Sequence, residues 1–393
     1  MRVTNTMMVN NLNRNIAGNL VRMDALQNQM STGRKFAHIS DDPIALIYSQ
    51  AARNTMTRIV NFQRSVQTAG DWLMQAEDGI MDMQRTMQDL YAATLDASTD
   101  AKGIGDESDK RNIAPVIAQL RDNILDNLNI TLGNRFMFGG HNTPGDPAET
   151  IDDKTTRPFT IERGNLHFNG FNISQFDGIP SAIFNNLFSS ANPPSQVEID
   201  DAFAGTGFNP EDFGIVDEFG VDTGNAAIMH RLMNDTPTLA VGPGSNMPIT
   251  VNGIDLALFM TPGVDENGVP LVDSNGNRVM VMRNLWNVAD DLYEKVNSGA
   301  PANEIDVSIR PLQDAQNYLL TKAAEIGGRV RRLEMLEARY EQSMINFERI
   351  RSEAEDVDFA ETLMHFKMAE AVYQAALSAG ARIIQPTLMD FLR

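Results

Sequence analysis

Residues 31–43 read STGRKFAHISDDP and separate two amphipathic helical stretches near the N-terminus. Gly33 follows the first stretch and can adopt the positive φ that commonly ends a helix. Ser40 or Asp42 can accept hydrogen bonds from the free N–H groups of a new helix. Pro43 fits the first position of that helix. The segment therefore predicts a capped loop between two helices, made by Gly33, Ser40, Asp41, Asp42 and Pro43.

Apolar residues spaced three and four apart flank this loop on both sides. They run over residues 9–30 before it and over residues 44–90 after it, with regular spacing from residue 59 onward. This spacing places them on one face of a helix, so it predicts one amphipathic helix and one unusually long helix. Polar residues 96–109 then predict a turn, and residues 113–128 predict a return helix that stops at Gly133.

The composition changes between residues 144 and 282, which hold 12 of the 17 prolines and 19 acidic against five basic residues. Residues 158–161 and 249–251 read as strands, and Asn-Gly pairs punctuate the segment as hairpin turns do. Residues 189–225 are rich in proline, glycine and aspartate and predict a long surface loop. The segment is thus predicted to be an inserted, acidic, β-rich domain.

Helical periodicity returns over residues 281–296 and continues in a second long stretch over 312–347. Asp358 and Glu361 resemble a capping pair that opens a last helix. Its apolar positions repeat almost as a heptad, weakened at Glu370 and Gly380. Helical patterns at both ends of the chain favour ends that pack together; three independent domains in a row are the alternative.

The predicted fold is mainly α with a β insertion, in which both chain ends form a long antiparallel helical bundle or coiled coil. The predicted divisions are a terminal coiled-coil layer of residues 1–43 with 352–393, a rod-like bundle of 44–143 with 283–351, and the insert 144–282. The candidate interface residues are the apolar positions of the two terminal helices. They are Leu12, Ile16, Leu20, Met23, Met30, Phe359, Leu363, Phe366, Tyr373, Leu377, Ile384, Leu388 and Phe391.

Charge and composition exclude several classes of function. The net charge of −20 disfavours binding to nucleic acid or to an anionic membrane surface. No apolar run approaches the roughly 18 residues of a membrane span, and the first residues lack the apolar core of a secretory signal. With no cysteine, disulfides and thiolate chemistry are absent. If the protein leaves the cell, we expect a route that cleaves no signal.

No catalytic, cofactor or metal constellation is visible in the sequence. The histidines are scattered without metal-ligand spacing, and no complete phosphate-binding or nucleophile motif occurs. Residues 273–277 supply oxygen ligands, but the glycine and closing glutamate of a calcium loop are out of register, which favours a β-turn. We therefore predict no enzyme, no cofactor and no metal. The five histidines are His38, His141, His167, His230 and His365.

Several motifs carry a family resemblance. MRVTNTM at the N-terminus, QNQMSTGRK at 27–35 and ISDDP at 39–43 resemble the flagellin superfamily. Asp-Asp-Pro at 41–43, GNRFMFGG at 133–140 and the ending LMDFL at 388–392 resemble its hook-filament junction subunits more than its filament flagellins. The resemblance covers about residues 1–143 and 283–393. The chain departs from the family at Arg329–Arg332 and in its acidic middle.

The resemblance implies a structural subunit of the bacterial flagellum, secreted through the flagellar type III apparatus and located between hook and filament. It implies self-assembly through the terminal helices into a ring or tube that templates flagellin. Its implied partners are further copies of the chain, the preceding hook-associated junction protein, flagellin and an export chaperone. A filament flagellin is the second interpretation. A secreted adhesin or enzyme with its site in the insert is the third.

Overall fold

The structure is a computed structural model that describes residues 5–36, 38, 40–98, 107–133, 135–140, 157–188, 192–204, 206, 208–216, 223–234, 236–264, 269–272 and 276–384. Its helices are α1 (Asn5–Thr32), α2 (Pro43–Ser98), α3 (Glu107–Leu128), α4 (Ser181–Phe188), α5 (Gln196–Phe203), α6 (Asn225–Met233), α7 (Gly253–Ala257), α8 (Leu285–Asn297), α9 (Ala302–Asp306), α10 (Ile309–Glu355) and α11 (Phe359–Ile384). Its strands are β1 (Thr131–Leu132), β2 (Arg135–Phe136), β3 (Phe159–Glu162), β4 (Asn165–Phe168), β5 (Phe171–Asn172), β6 (Thr238–Gly242), β7 (Ser245–Pro248), β8 (Leu258–Pro262) and β9 (Met280–Asn284).

The chain divides into two compact units, and the boundary falls inside α2 and α10. The terminal unit comprises the described residues of 1–63 and 338–393, and the central unit comprises those of 64–337. Helices from both ends of the chain pack in the terminal unit, and the central unit contains the strands. This confirms the predicted fold class, a helical assembly of both chain ends with a β-containing insert. The three-part division of the chain stays a prediction.

Helices α2 and α10 form an antiparallel pair in the central unit. Gln67 Nε2 donates to Glu337 Oε1 at 3.1 Å, and Gln316 Nε2 donates to the Met87 carbonyl at 3.0 Å. Along this pair, apolar side chains recur every seven residues on each helix and are almost fully buried. This heptad spacing keeps one apolar seam between the two helices. The buried residues are Val66, Leu73, Ile80 and Met87 on α2 and Leu312, Leu319, Ile326 and Leu333 on α10.

The strands form small antiparallel groups: β1 with β2, β3 with β4 and β5, β6 with β7, and β8 with β9. The predicted strand at 158–161 is confirmed as β3. Asn169 and Gly170 have φ of 51° and 80° in the turn between β4 and β5, as a two-residue hairpin turn requires. Short helices accompany these strands, so the insert is mixed α and β.

Five local predictions are corrected. Residues 249–251 lie outside any strand, and the turn predicted at Asn252-Gly253 is a helix start, because Asn252 Oδ1 accepts from the Ile254 N–H at 3.0 Å. The helix predicted from residue 281 begins only at Leu285, because residues 280–284 pair with β8. Gly133 lies in the β1–β2 connection rather than at the end of α3. Finally, the loop predicted at 189–225 contains α5, whose Ser195 and Glu198 form a capping box.

Gly253 lets α7 approach its neighbours closely. A Cβ atom at this position would overlap the Phe138 carbonyl oxygen and lie 2.6 Å from Cζ of Phe159. Both neighbours are buried, and a backbone atom cannot move aside as a flexible side chain would. Glycine is therefore required by packing at this position.

We predict that Gly253→Ala lowers the free energy of unfolding by about 1 to 3 kcal/mol, because the added methyl overpacks the core. Gly70→Ala is the matched control. Gly70 lies inside α2 with nothing within 4 Å of a built Cβ, so alanine should stabilise by about 0.5 to 1 kcal/mol. Urea denaturation followed by circular dichroism measures both. An unchanged midpoint for Gly253→Ala would contradict the packing argument.

Candidate assembly surface

Helices α1 and α11 pack against each other as an antiparallel pair, called here the terminal pair. Asn19 Nδ2 donates to the Ala369 carbonyl at 3.2 Å. Near the start of α1, Leu12 lies against Gly380, where a Cβ atom would come within 2.7 Å of Leu12 Cδ2. The sequence showed Gly380 only as an interruption of the apolar repeat, but the structure gives this glycine a packing role. It makes room for a leucine from the opposite helix.

The seam of the terminal pair is only partly covered. On α1, half-buried residues recur at intervals of three and four residues, as the sequence pattern predicts. On α11, the covered positions are Thr362, His365, Phe366, Ala369, Glu370, Tyr373, Ala376 and Gly380. Of the candidate interface residues, those half-buried in this unit are Leu12, Ile16, Met23, Met30, Phe366 and Tyr373.

The other candidate interface residues are exposed or have side chains outside the described residues. Leu20, Phe359, Leu363 and Leu377 are exposed, with 46% of Leu377 accessible. Ile384 ends α11, but its side chain lies outside the described residues. Leu388 and Phe391 also lie outside the described residues.

Exposed apolar side chains continue around α11. We call Phe359, Leu363, Met364, Met368, Val372 and Leu377 the outer face of α11. Met368 is 59% exposed and Val372 is 57% exposed. This outer face consists of two flanks, because Lys367, Gln374 and Ser378 lie between them on the side opposite the seam. Helix α11 itself packs mainly on α1. Among the described residues, more than half of the exposed large apolar side chains belong to the terminal unit, which is much the smaller of the two.

The cap loop between α1 and α2 has the predicted ends. Gly33 has a φ of 70°, and α2 starts at Pro43. Asp42 Oδ1 accepts from the Ile44 and Ala45 N–H groups at 3.1 and 3.0 Å, so Asp42 is the cap. Ser40 does not share this role, because its exposed hydroxyl points to the carboxylate of Asp41 at 3.5 Å. Asp41 instead accepts from the His38 N–H at 2.9 Å and orders the loop.

Glu355, the last residue of α10, connects this loop to the other end of the chain. The Lys35 N–H donates to the Glu355 carbonyl at 2.7 Å, and the Val357 N–H donates to the Gly33 carbonyl at 3.0 Å. These two bonds form a short antiparallel bridge between Arg34 and Asp356. The backbone at the end of α1 is thereby attached to the turn between α10 and α11.

The Glu355 side chain reinforces this bridge. It is only 4% exposed, and Arg34 Nε lies 2.9 Å and Arg53 Nη2 lies 2.6 Å from its carboxylate oxygens. The Ser49 hydroxyl donates to Oε2 at 2.9 Å. We call Glu355 with Arg34, Ser49 and Arg53 the Glu355 clasp. It connects α2, the loop after α1 and the end of α10.

The clasp keeps Glu355 ionised. Hydrogen bonds from Arg53 and Ser49, together with the positive charge of Arg34, hold the pKa of Glu355 below its usual value. Lys35 Nζ donates to the Glu353 carbonyl at 2.6 Å, so a further cation lies at the same junction. The sequence does not indicate this pairing, because partners 302 residues apart leave no local pattern.

We next consider a metal site and a membrane span in the described part of the chain. It contains no group of three side chains placed to hold a metal ion. None of its helices combines the length and the apolar character needed to cross a membrane.

Comparison with known proteins gives matches that agree with this architecture. Residues 3–143 match the family model described as the bacterial flagellin N-terminal helical region. Flagellar hook-associated protein 3 of Escherichia coli (strain K12) is 30% identical over 178 residues, which cover 42% of this chain and 48% of that protein. The chain thus matches about half the length of this curated relative. The resemblance to the flagellin superfamily is confirmed for the N-terminal region.

One solved structure shows the same fold. A putative flagellar hook-associated protein from Vibrio parahaemolyticus superposes with a TM-score of 0.50 at 15% identity, covering 80% of this chain and all of that one. The flagellar junction protein FlgL from Legionella pneumophila gives a TM-score of 0.47 at 11% identity, covering 79% of this chain and all of that one. At these identities the first similarity establishes the fold alone.

We predict that Glu355→Gln lowers the free energy of unfolding by about 1 to 3 kcal/mol, because charge-assisted hydrogen bonds are lost. Glu353→Gln is the matched control. Its carboxylate is 64% exposed and pairs with Arg349 on the surface, so its loss should change stability by about 0.5 kcal/mol or less. Urea denaturation at pH 7 measures both. Equal effects of the two substitutions would contradict the clasp.

The stabilisation by Glu355 should also depend on pH. Because the folded protein lowers the pKa of Glu355, the contribution is fully present above the unfolded value of 4.5. It is lost as the pH falls through the lower pKa of the folded state. The difference in stability between the natural chain and Glu355→Gln should therefore shrink below about pH 4.5. A difference that stays constant down to pH 3 would show that Glu355 acts through packing alone.

Proposed function

Because residues 3–143 match the flagellin N-terminal helical region, we propose that the chain is a structural, non-enzymatic subunit of the bacterial flagellum at the hook-filament junction. The observation that carries this proposal is the similarity to hook-associated protein 3. Pairing of the two chain ends, with an apolar outer face on α11, supports the same function. A subunit of this kind acts by polymerising, and its surface supplies the contacts.

The terminal pair is the proposed site of polymerisation. The outer face of α11 presents methionine, leucine, valine and phenylalanine side chains to solvent, and burying each would contribute about 1.5 to 3 kcal/mol. Methionine adapts its shape to different neighbours, which suits a subunit that meets more than one kind of protein. The Glu355 clasp holds this face in a fixed position before assembly, which lowers the entropic cost of each contact.

The proposed partners are further copies of the chain, the preceding hook-associated junction protein on one side and flagellin on the other. An export chaperone would cover the apolar face before secretion through the flagellar type III apparatus. In the assembled flagellum the terminal helices would form the inner tube, and the subunit would provide a starting surface for flagellin.

We predict that Leu377→Asp weakens self-association by about 100-fold or more, because a charge would have to be buried at the contact. The variant should leave the stability of the monomer nearly unchanged, since Leu377 is exposed. Val116→Asp is the matched control, an exposed apolar residue of α3 that is 52% accessible. Sedimentation velocity measures both. If the Leu377→Asp variant self-associates as strongly as the natural chain, α11 does not form the contact between copies.

The flagellar function is tested in cells that lack the gene. Such cells should make hooks without filaments and release flagellin into the medium, and the natural chain should restore filaments. Leu377→Asp should fail to restore them, and Val116→Asp should succeed. Normal filaments in the deletion strain would contradict a junction role. Absence of flagellin itself from the medium would instead indicate a filament flagellin.

A further inference from the structure

Two consecutive glycines in the interior of α10 have no packing role among the described residues of one copy. Glycine costs about 1 kcal/mol relative to alanine inside a helix, and neither Gly327 nor Gly328 has a positive φ. A Cβ atom at Gly327 would make ordinary contact with Glu77 Oε1 at 3.4 Å, and one at Gly328 would meet nothing within 4 Å. The glycines therefore leave an open surface on the helix, where another molecule can approach the backbone closely.

Basic and apolar side chains follow this opening. Arg331, Arg332 and Met335 lie three, four and seven residues beyond Gly328, which places all four on one side of α10. Met335 is 67% exposed, and both arginines are exposed. No ion pair with an acidic residue is formed by Arg331 or Arg332 within the described ranges. We call Gly328, Arg331, Arg332 and Met335 the basic stripe.

Helix α5 carries a stripe of the same form with the opposite charge. Val197 is 67% exposed, and Asp200 and Asp201, three and four residues later, are exposed on the same side. Asp200 Oδ1 accepts a hydrogen bond from Gln196 Nε2 at 2.9 Å, which leaves its negative charge in place. Residues 196–213 contain no lysine or arginine. We call Val197, Asp200 and Asp201 the acidic stripe.

The two stripes match in charge and in pattern. Each stripe has one exposed apolar side chain beside two like charges at helical spacing. Arginine and methionine, which form the basic stripe, are enriched at protein interfaces. No ion pair connects the two stripes within one copy, as far as the described residues extend. Arginine can bind a carboxylate through two parallel hydrogen bonds, which gives such a contact a defined geometry.

We propose that the basic stripe of one copy docks on the acidic stripe of a second copy. The inference rests on the proposed function, since it assumes a protein that polymerises. Because the two surfaces differ, each copy can bind one neighbour through each of them, and the contact can repeat head to tail, as a ring or helical assembly requires. This contact between the stripes is small. Its role is therefore to select the register of neighbouring copies and to add to the contacts that the terminal helices make.

Charge reversal tests the proposal with full-length protein. Arg331→Glu with Arg332→Glu makes one variant with two acidic stripes, and Asp200→Lys with Asp201→Lys makes another with two basic stripes. Each alone should self-associate about tenfold more weakly than the natural chain in sedimentation velocity at low salt. An equimolar mixture of the two should return to within about threefold of the natural chain. Reversed variants that associate normally, or a mixture that does not recover, would overturn the proposal.

Cross-linking provides an independent measurement, since the chain has no cysteine. Val197→Cys combined with Met335→Cys should form disulfide-linked ladders on oxidation, because the two positions would face each other between copies. Val116→Cys combined with Met335→Cys is the matched control and should not. Absence of ladders from the first variant would overturn the proposal. If the natural chain does not associate at any salt concentration, the proposed function fails as well. If the natural chain associates and the charge-reversed variants associate equally well, only this inference is overturned.

Discussion

The buried carboxylate of Glu355 is the interaction on which the terminal unit depends. A carboxylate that is 4% exposed is tolerated only when its charge and its hydrogen bonds are satisfied. Arg34, Arg53 and Ser49 satisfy them, and each comes from the N-terminal part of the chain while Glu355 comes from the C-terminal part. The clasp can therefore form only when the two ends of the chain meet. It fixes the start of α2 and the turn before α11 together.

This constraint explains how the protein can present so much apolar surface and still fold. Helix α11 gains only partial burial from α1, and the seam between them is half-open. Polar bonds at the base of the terminal pair hold α11 in place without covering its outer face. In the proposed assembly, stability and association depend on different groups: the clasp stabilises the monomer, and exposed methionine, leucine and valine side chains contact neighbouring copies.

The sequence predicted the parts of the fold that depend on local pattern. Apolar spacing gave α1, α2, α10 and α11, and Asp42 and Pro43 gave the start of α2, because caps and helical faces involve residues close in sequence. It did not find the Glu355 clasp or the pairing of β9 with β8, since these partners are distant along the chain. Periodicity also placed Leu363 and Leu377 in the seam of α11, yet both are exposed, because smaller residues such as Ala369 form the side that meets α1. Leu12 packs against Gly380 on that same side.

The central claim is that this chain joins hook to filament, and its position in the intact flagellum tests it most directly. Antibody raised against residues 196–213 and coupled to gold would be imaged by electron microscopy on whole appendages. The account predicts one narrow band of label where the hook meets the filament. Label along the entire filament would contradict it and identify a filament flagellin, and an unlabelled flagellum would place the protein elsewhere.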